Sequence, residues 1–172
     1  SRRRQILLDL DGSPEPWQAP PFPAGVGTER SLGTGREARA VRIKFLGCGD
    51  AFGSGGRLNT CFHVHAGAQQ FLIDCGATAM PAIKAAGIDR NAIALILLTH
   101  FHADHCGGIP PFILDAQFFA KRATPLTIAA PKGLQEWLGR AMETAFPGSS
   151  GTRQKFALEL IELAPGERRT CS

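Results

Sequence analysis

Polar and apolar residues alternate along Val41-Arg42-Ile43-Lys44-Phe45-Leu46, the period of a strand with one covered face. A second strand is predicted over Cys61 to Ala66. After the turn at Gly67-Ala68, a third runs through Gln70-Phe71-Leu72-Ile73-Asp74. Strands joined this closely predict an antiparallel hairpin. Ala77 to Ala86 reads as a helix, with Gly87 as its C-cap. Ile93-Ala94-Leu95-Ile96-Leu97-Leu98 is apolar at every position, the pattern of a strand covered by layers on both sides. A helix follows from Pro110 to Arg122, because proline is tolerated in a first turn. Beyond it come a strand over Leu126 to Ala130, a helix over Leu134 to Phe146, and a strand over Lys155 to Leu163. Trp137, Leu138, Met142 and Phe146 have core spacing on that last helix. A strand meander followed by alternating strands and helices is a layered α/β arrangement with helices packed on sheet. No internal repeat interrupts it.

Residues 1–40 depart from this pattern. Between positions 12 and 40 they hold Pro14, Pro16, Pro20, Pro21 and Pro23, then Gly25, Gly27, Gly33 and Gly35, with neither helical nor strand period. That segment reads as a linker-like, disordered extension, and residues 41–172 as the domain. Apolar residues make up 44% of the chain and charged ones 20%, so most of it is expected to fold. The net charge of +4 allows contact with nucleic acid, but apart from Arg2-Arg3-Arg4 the basic residues are scattered, the habit of a solvated surface. The cysteine count is odd at five, with no ribbon or redox spacing, which points to a reduced, cytoplasmic chain with free thiols. No apolar run reaches the eighteen or so residues of a membrane span, and the N-terminus is charged too soon for a signal peptide.

The chemistry concentrates in Thr99-His100-Phe101-His102-Ala103-Asp104-His105, where three of the chain's five histidines follow directly on an apolar strand. Zinc takes imidazole nitrogen and carboxylate oxygen. In an extended stretch His100 and His102 project to one side and can grip one ion. Asp104 and His105 follow as the chain turns and point toward a second. Ligands of α/β sheets bind just outside the carboxyl ends of such strands. Gly107 and Gly108 let the backbone pass close by.

His100 to His105 resembles the His-x-His-x-Asp-His signature of the metallo-β-lactamase superfamily. Leu46-Gly47-Cys48-Gly49-Asp50-Ala51-Phe52-Gly53, Asn59-Thr60 and Phe71-Leu72-Ile73-Asp74-Cys75-Gly76 resemble its ribonuclease Z-like and phosphodiesterase branch. The likeness runs from about Val41 to Leu163. It implies a metallo-β-lactamase-type αββα sandwich, with His100 and His102 on a first zinc ion and Asp104 and His105 on a second. Asp104 would then be catalytic through the metal pair. Asp74 would support the loop from behind, by fixing a ligand imidazole's tautomer. The implied activity is hydrolysis of phosphodiester bonds, in RNA or small phosphodiesters, by metal-activated hydroxide. A homodimer is compatible with this reading.

The superfamily pattern also requires histidines and an acidic ligand well downstream. After His105 the chain has no histidine, and its only later aspartate is Asp115, inside a predicted helix. The sequence therefore resembles the N-terminal half of the fold. Two alternatives follow: a zinc hydrolase of thioester, lactone or β-lactam substrates, and a truncated chain inactive by itself. Cys61, His63 and His65 share a strand face and are read as its polar side, not as ligands. Cys106 is read as a small buried thiol. The Gly47 to Gly56 loop lacks a P-loop ending and is read as lining the metal cleft.

Overall fold

Six strands form one mixed sheet whose spatial order is also their order along the chain. The computed structural model describes residues 41–167; the extension expected over residues 1–40 lies outside the described residues. The strands are β1 (Val41–Gly47), β2 (Cys61–Ala66), β3 (Gln69–Ile73), β4 (Ile93–Leu97), β5 (Leu126–Pro131) and β6 (Leu158–Leu163). The helices are α1 (Ala79–Ala85), α2 (Ala103–Cys106), α3 (Ile109–Phe118) and α4 (Leu134–Ala145).

β1, β2 and β3 pair antiparallel, and β3 through β6 pair parallel. The chemistry of the connections decides which. A two-residue turn at Gly67-Ala68, with Gly67 at φ 62°, permits the expected hairpin between β2 and β3. Parallel neighbours need a crossover, which α1, then α2 with α3, then α4 supply. Because strand order never reverses and such crossovers are right-handed, the helices are laid on one face of the sheet.

Leu72, Ile96 and Ile128 stand in register across β3, β4 and β5. All three are fully buried, in one core cluster with Ile83 of α1, Phe112 and Ile113 of α3, and Leu134 and Leu138 of α4. The opposite face is also apolar. Phe45, Phe62, Ile73 and Leu97 share one row, and Ile43, Val64, Phe71 and Leu95 the next. On that face Ile43 and Phe45 are 54% and 65% exposed, while Leu95 and Leu97 are half-buried. The double-sided apolar pattern of β4 thus meets a helical layer on one side, and no second layer on the other among the described residues.

Some boundaries differ from the sequence pattern, each for a local reason. α1 starts at Ala79, not Ala77, after a turn whose amides bond outside the helix. Cys75 N donates to His105 O, Gly76 N to Thr60 O and Ala77 N to Ala103 O. α3 stops at Phe118, and Arg122 lies beyond it. Lys121 has φ 50°, which turns the chain and sends the Arg122 side chain inward. There its guanidinium, 3% exposed, donates to the carbonyls of Arg90, Ile93, Thr124 and Pro125. Buried Asp115 on α3 pairs with Lys84 and Arg90, fastening α3 to α1 and to the turn before β4.

Candidate metal centre

β4 ends at Leu97, and its buried neighbour Leu98 donates its amide to Ala129 O of β5. The site therefore leaves the sheet from a strand held on both edges. The next residues are Thr99, His100, Phe101 and His102. Then comes α2, a four-residue helical turn that the sequence pattern did not reveal. His102 takes the cap position, in extended conformation at φ −76°, ψ 144°. Asp104 and His105 thus project from a helical turn rather than from a loop. Phe101 stacks on Trp137 of α4 with centroids 5.3 Å apart, which ties the loop to the helical layer.

Two close backbone approaches seat this turn. A Cβ on Gly76 would stand 2.2 Å from Asp104 O and 2.5 Å from Asn59 Cβ. A Cβ on Gly108 would stand 2.4 Å from Gly76 O. Only glycine fits either position, so the β3–α1 turn and the His-rich segment lie backbone against backbone. Asn59 and Thr60 brace the same region. Asn59 N donates to Thr78 Oγ1, Asn59 Nδ2 to Asp50 O, and Gly49 N to Leu58 O. The glycine-rich loop is thereby fixed to the start of α1, while its tip residue Phe52 is 92% exposed.

The side chains around the site form a connected set. Asp74, 2% exposed and at φ 58°, follows directly on β3. Its Oδ1 accepts from Thr99 N at 2.8 Å, and its Oδ2 from His105 Nδ1 at 2.7 Å. His105 Nε2, the nitrogen left free, lies 3.4 Å from Asp104 Oδ2. The His100 ring is 4.7 Å from that of His102 and 4.1 Å from that of His105, centroid to centroid. The structure therefore brings His100, His102, Asp104, His105 and Asp74 into one neighbourhood.

These donors suit zinc in kind, and Asp104 with His105 also in spacing. Two ligands on a tetrahedral zinc with bonds of about 2.0–2.1 Å stand roughly 3.3 Å apart, close to the Asp104–His105 separation. Among the described residues no three His, Cys, Asp or Glu side chains converge on a single point as one ion would require.

The remaining polar candidates lie elsewhere. His63 Nε2 contacts Gln70 Oε1 at 3.0 Å on the neighbouring strand, and Cys61 is fully buried in the core. Cys106 Sγ donates to His102 O at 3.1 Å, facing away from solvent. Burial, with the Asp74 charge adding to it, pushes the Cys61 and Cys106 thiols up to about 12. The Cys75 thiol is likewise pushed up, burial again being the main cause. These thiols stay protonated and serve as packing. Sequence reasoning missed Thr99, whose hydroxyl touches both Asp74 and His100. Its only signal was its place between the strand and the first histidine.

A family model described as Anti-Pycsar protein Apyc1 matches residues 41–155. The ribonuclease Z of Agathobacter rectalis is 41% identical over 92 residues, covering 54% of this chain and 28% of that protein. The crystal structure of human tRNase Z, short form, superposes with a TM-score of 0.59 at 27% identity, over 72% of this chain and 46% of that one. The metallo-β-lactamase fold protein YhfI from Bacillus subtilis gives a TM-score of 0.59 at 18% identity, over 76% and 50%. The chain spans half or less of the length of these proteins. Its sheet and helices have the metallo-β-lactamase fold, the class expected from the sequence.

Proposed function

The chain belongs to the Anti-Pycsar protein Apyc1 family, and from that premise we propose that it carries one ligand set of a zinc-dependent hydrolase of phosphodiester bonds. Residues 41–172 are then the partial domain that presents this set, and RNA or a small phosphodiester is the substrate class. The relatives named ribonuclease Z support the bond type. The observation that carries the metal reading is the 3.4 Å between Asp104 Oδ2 and His105 Nε2, with His105 Nδ1 already held by Asp74.

In this reading His100 and His102 hold one ion, and Asp104 and His105 the other. When bound, zinc supplies hydroxide at neutral pH and stabilises charge on the phosphoryl oxygens. Asp74 keeps the His105 ring turned so that its Nε2 lone pair faces outward. The helical turn of α2 sets Asp104 and His105 side by side. Gly76 and Gly108 let that turn sit against the backbone that follows β3. Cys106, bonded to His102 O, packs behind the loop and leaves the donor face to oxygen and nitrogen.

The test pairs metal content with turnover. Zinc bound after dialysis would be counted by elemental analysis, and the chain, extended by a downstream segment that supplies the further ligands, assayed on a chromogenic phosphodiester and on a β-lactam. The expected result is zinc-dependent cleavage of the phosphodiester alone by the extended chain, with Asp104→Ala removing the second zinc ion and most of the rate. Efficient β-lactam turnover would overturn the substrate class, and full activity in Asp104→Ala would overturn the site.

A further inference from the structure

We propose that Thr99 is a positioning residue that sets the tautomer of His100. Asp74 then orients two metal-facing imidazoles, His105 directly and His100 through the Thr99 hydroxyl. The inference rests on the metal reading above and names a residue to which that reading assigns no part.

The argument is a count of protons. Thr99 Oγ1 lies 3.0 Å from Asp74 Oδ1, 2.9 Å from Asp74 Oδ2 and 3.0 Å from His100 Nδ1. A hydroxyl has one proton to donate and two lone pairs that accept. Asp74 already accepts from Thr99 N and from His105 Nδ1, so its carboxylate is the acceptor of the set. The Thr99 hydroxyl therefore donates to Asp74, and what remains to His100 is a lone pair. His100 Nδ1 must then carry the proton, leaving His100 Nε2 with the lone pair a metal needs. His105 Nδ1 is also 3.5 Å from the hydroxyl, but its proton is committed to Asp74 Oδ2 at 2.7 Å. The result is the same tautomer on both rings, imposed by one buried carboxylate. A free imidazole side chain favours the opposite tautomer, with the proton on Nε2, so the constraint does work. Partners of this kind change metal affinity by roughly 10- to 100-fold when lost.

The experiment reads the tautomer before it reads the metal. Nitrogen-15 NMR of the metal-free, unsubstituted chain at about pH 8, above the ordinary imidazole pKa of about 6.5, should show the His100 proton on Nδ1. Thr99→Val should move that proton toward Nε2 and weaken zinc binding roughly ten-fold, measured by chelator competition. Thr99→Ser, which restores the hydroxyl, should recover both. A His100 proton on Nε2 in the unsubstituted chain overturns the proposal, and so does Thr99→Val with an unchanged tautomer. Thr99→Ser that is folded yet behaves as the valine variant also overturns it. The unsubstituted measurement and the serine variant keep the test decisive should Thr99→Val not fold. Absence of any zinc uptake by the unsubstituted chain would strike the metal reading, while the tautomer would still decide the role of Thr99.

Discussion

Asp74 Oδ2 accepts a hydrogen bond from His105 Nδ1 at 2.7 Å across 31 residues of chain. The same carboxylate receives Thr99 N at 2.8 Å, so it joins the end of β3 to both ends of the His-rich segment. Asp74→Asn should lower zinc affinity by roughly 10- to 100-fold, because either orientation of the amide turns its NH2 toward a group that must donate. Asn tolerates the positive φ of this position, so the unfolding temperature should move less than the affinity. Zinc titration beside calorimetry checks this, and an Asp74→Asn variant with undiminished affinity would remove Asp74 from the site.

Gly76→Ala should act on fold and site together. Its Cβ would press on Asp104 O at 2.2 Å, and that carbonyl belongs to the backbone of α2. Overpacking of this kind costs about 1–3 kcal/mol. The expected outcome is a lower denaturation midpoint with weaker zinc binding, whereas Gly139→Ala, with open space around its Cβ, should leave zinc binding unchanged.

Arg122 is a buried cation satisfied by carbonyls rather than by a carboxylate. Arg122→Met removes the donors and strands the buried carbonyl of Ile93, at a cost of about 1–3 kcal/mol, while the part-buried carbonyls of Arg90, Thr124 and Pro125 lose their partner too. Arg122→Lys should recover little, because an ammonium lacks the planar fork that meets carbonyls from two separate turns. Chemical denaturation distinguishes the three proteins.

Burial lowers the His63 pKa below the ordinary 6.5; the Gln70 hydrogen bond opposes the shift, and the charges of His65 and Lys44 add to it. Between that lowered folded value and about 6.5 the unfolded chain binds more protons, so stability falls as pH drops through this window. His63→Gln should flatten that part of the stability curve. Parallel curves for the two proteins below pH 6.5 would show that His63 has no part in it.

The sheet face without a covering layer among the described residues should govern association of the isolated chain. Ile43 and Phe45 are exposed beside Phe62, with the Phe45 and Phe62 rings edge to face at 4.9 Å. A contiguous apolar patch on an edge strand favours contact between chains. Light scattering should detect concentration-dependent association that Ile43→Lys with Phe45→Lys reduces, at little cost in unfolding temperature. A monomer at all concentrations would show that this face is not adhesive.

Element types were legible in the sequence wherever a period ran long enough. The apolar run of β4 and the spacing of Leu138 and Met142 on α4 report a local choice between covered and uncovered positions. The alternation of β1 marks the strand but not its cover, because Ile43 and Phe45 are exposed, as is Phe146 past the end of α4. The His-rich segment stood out for a similar reason, since its residue types at that spacing suit the metal chemistry proposed for it. Other features depended on partners distant in sequence. Residues 103–106 form a helical turn that Cys75 N and Ala77 N dock through His105 O and Ala103 O, a contact across about 30 residues that no local period encodes. β4 is apolar on both faces, but only the packed structure shows which face the helices take, because strand order and crossover handedness decide it together. The place of Thr99 between Asp74 and His100 is likewise a product of folding. A hydroxyl's single proton acquires direction only when the tertiary structure sets a carboxylate on one side of it and an imidazole on the other.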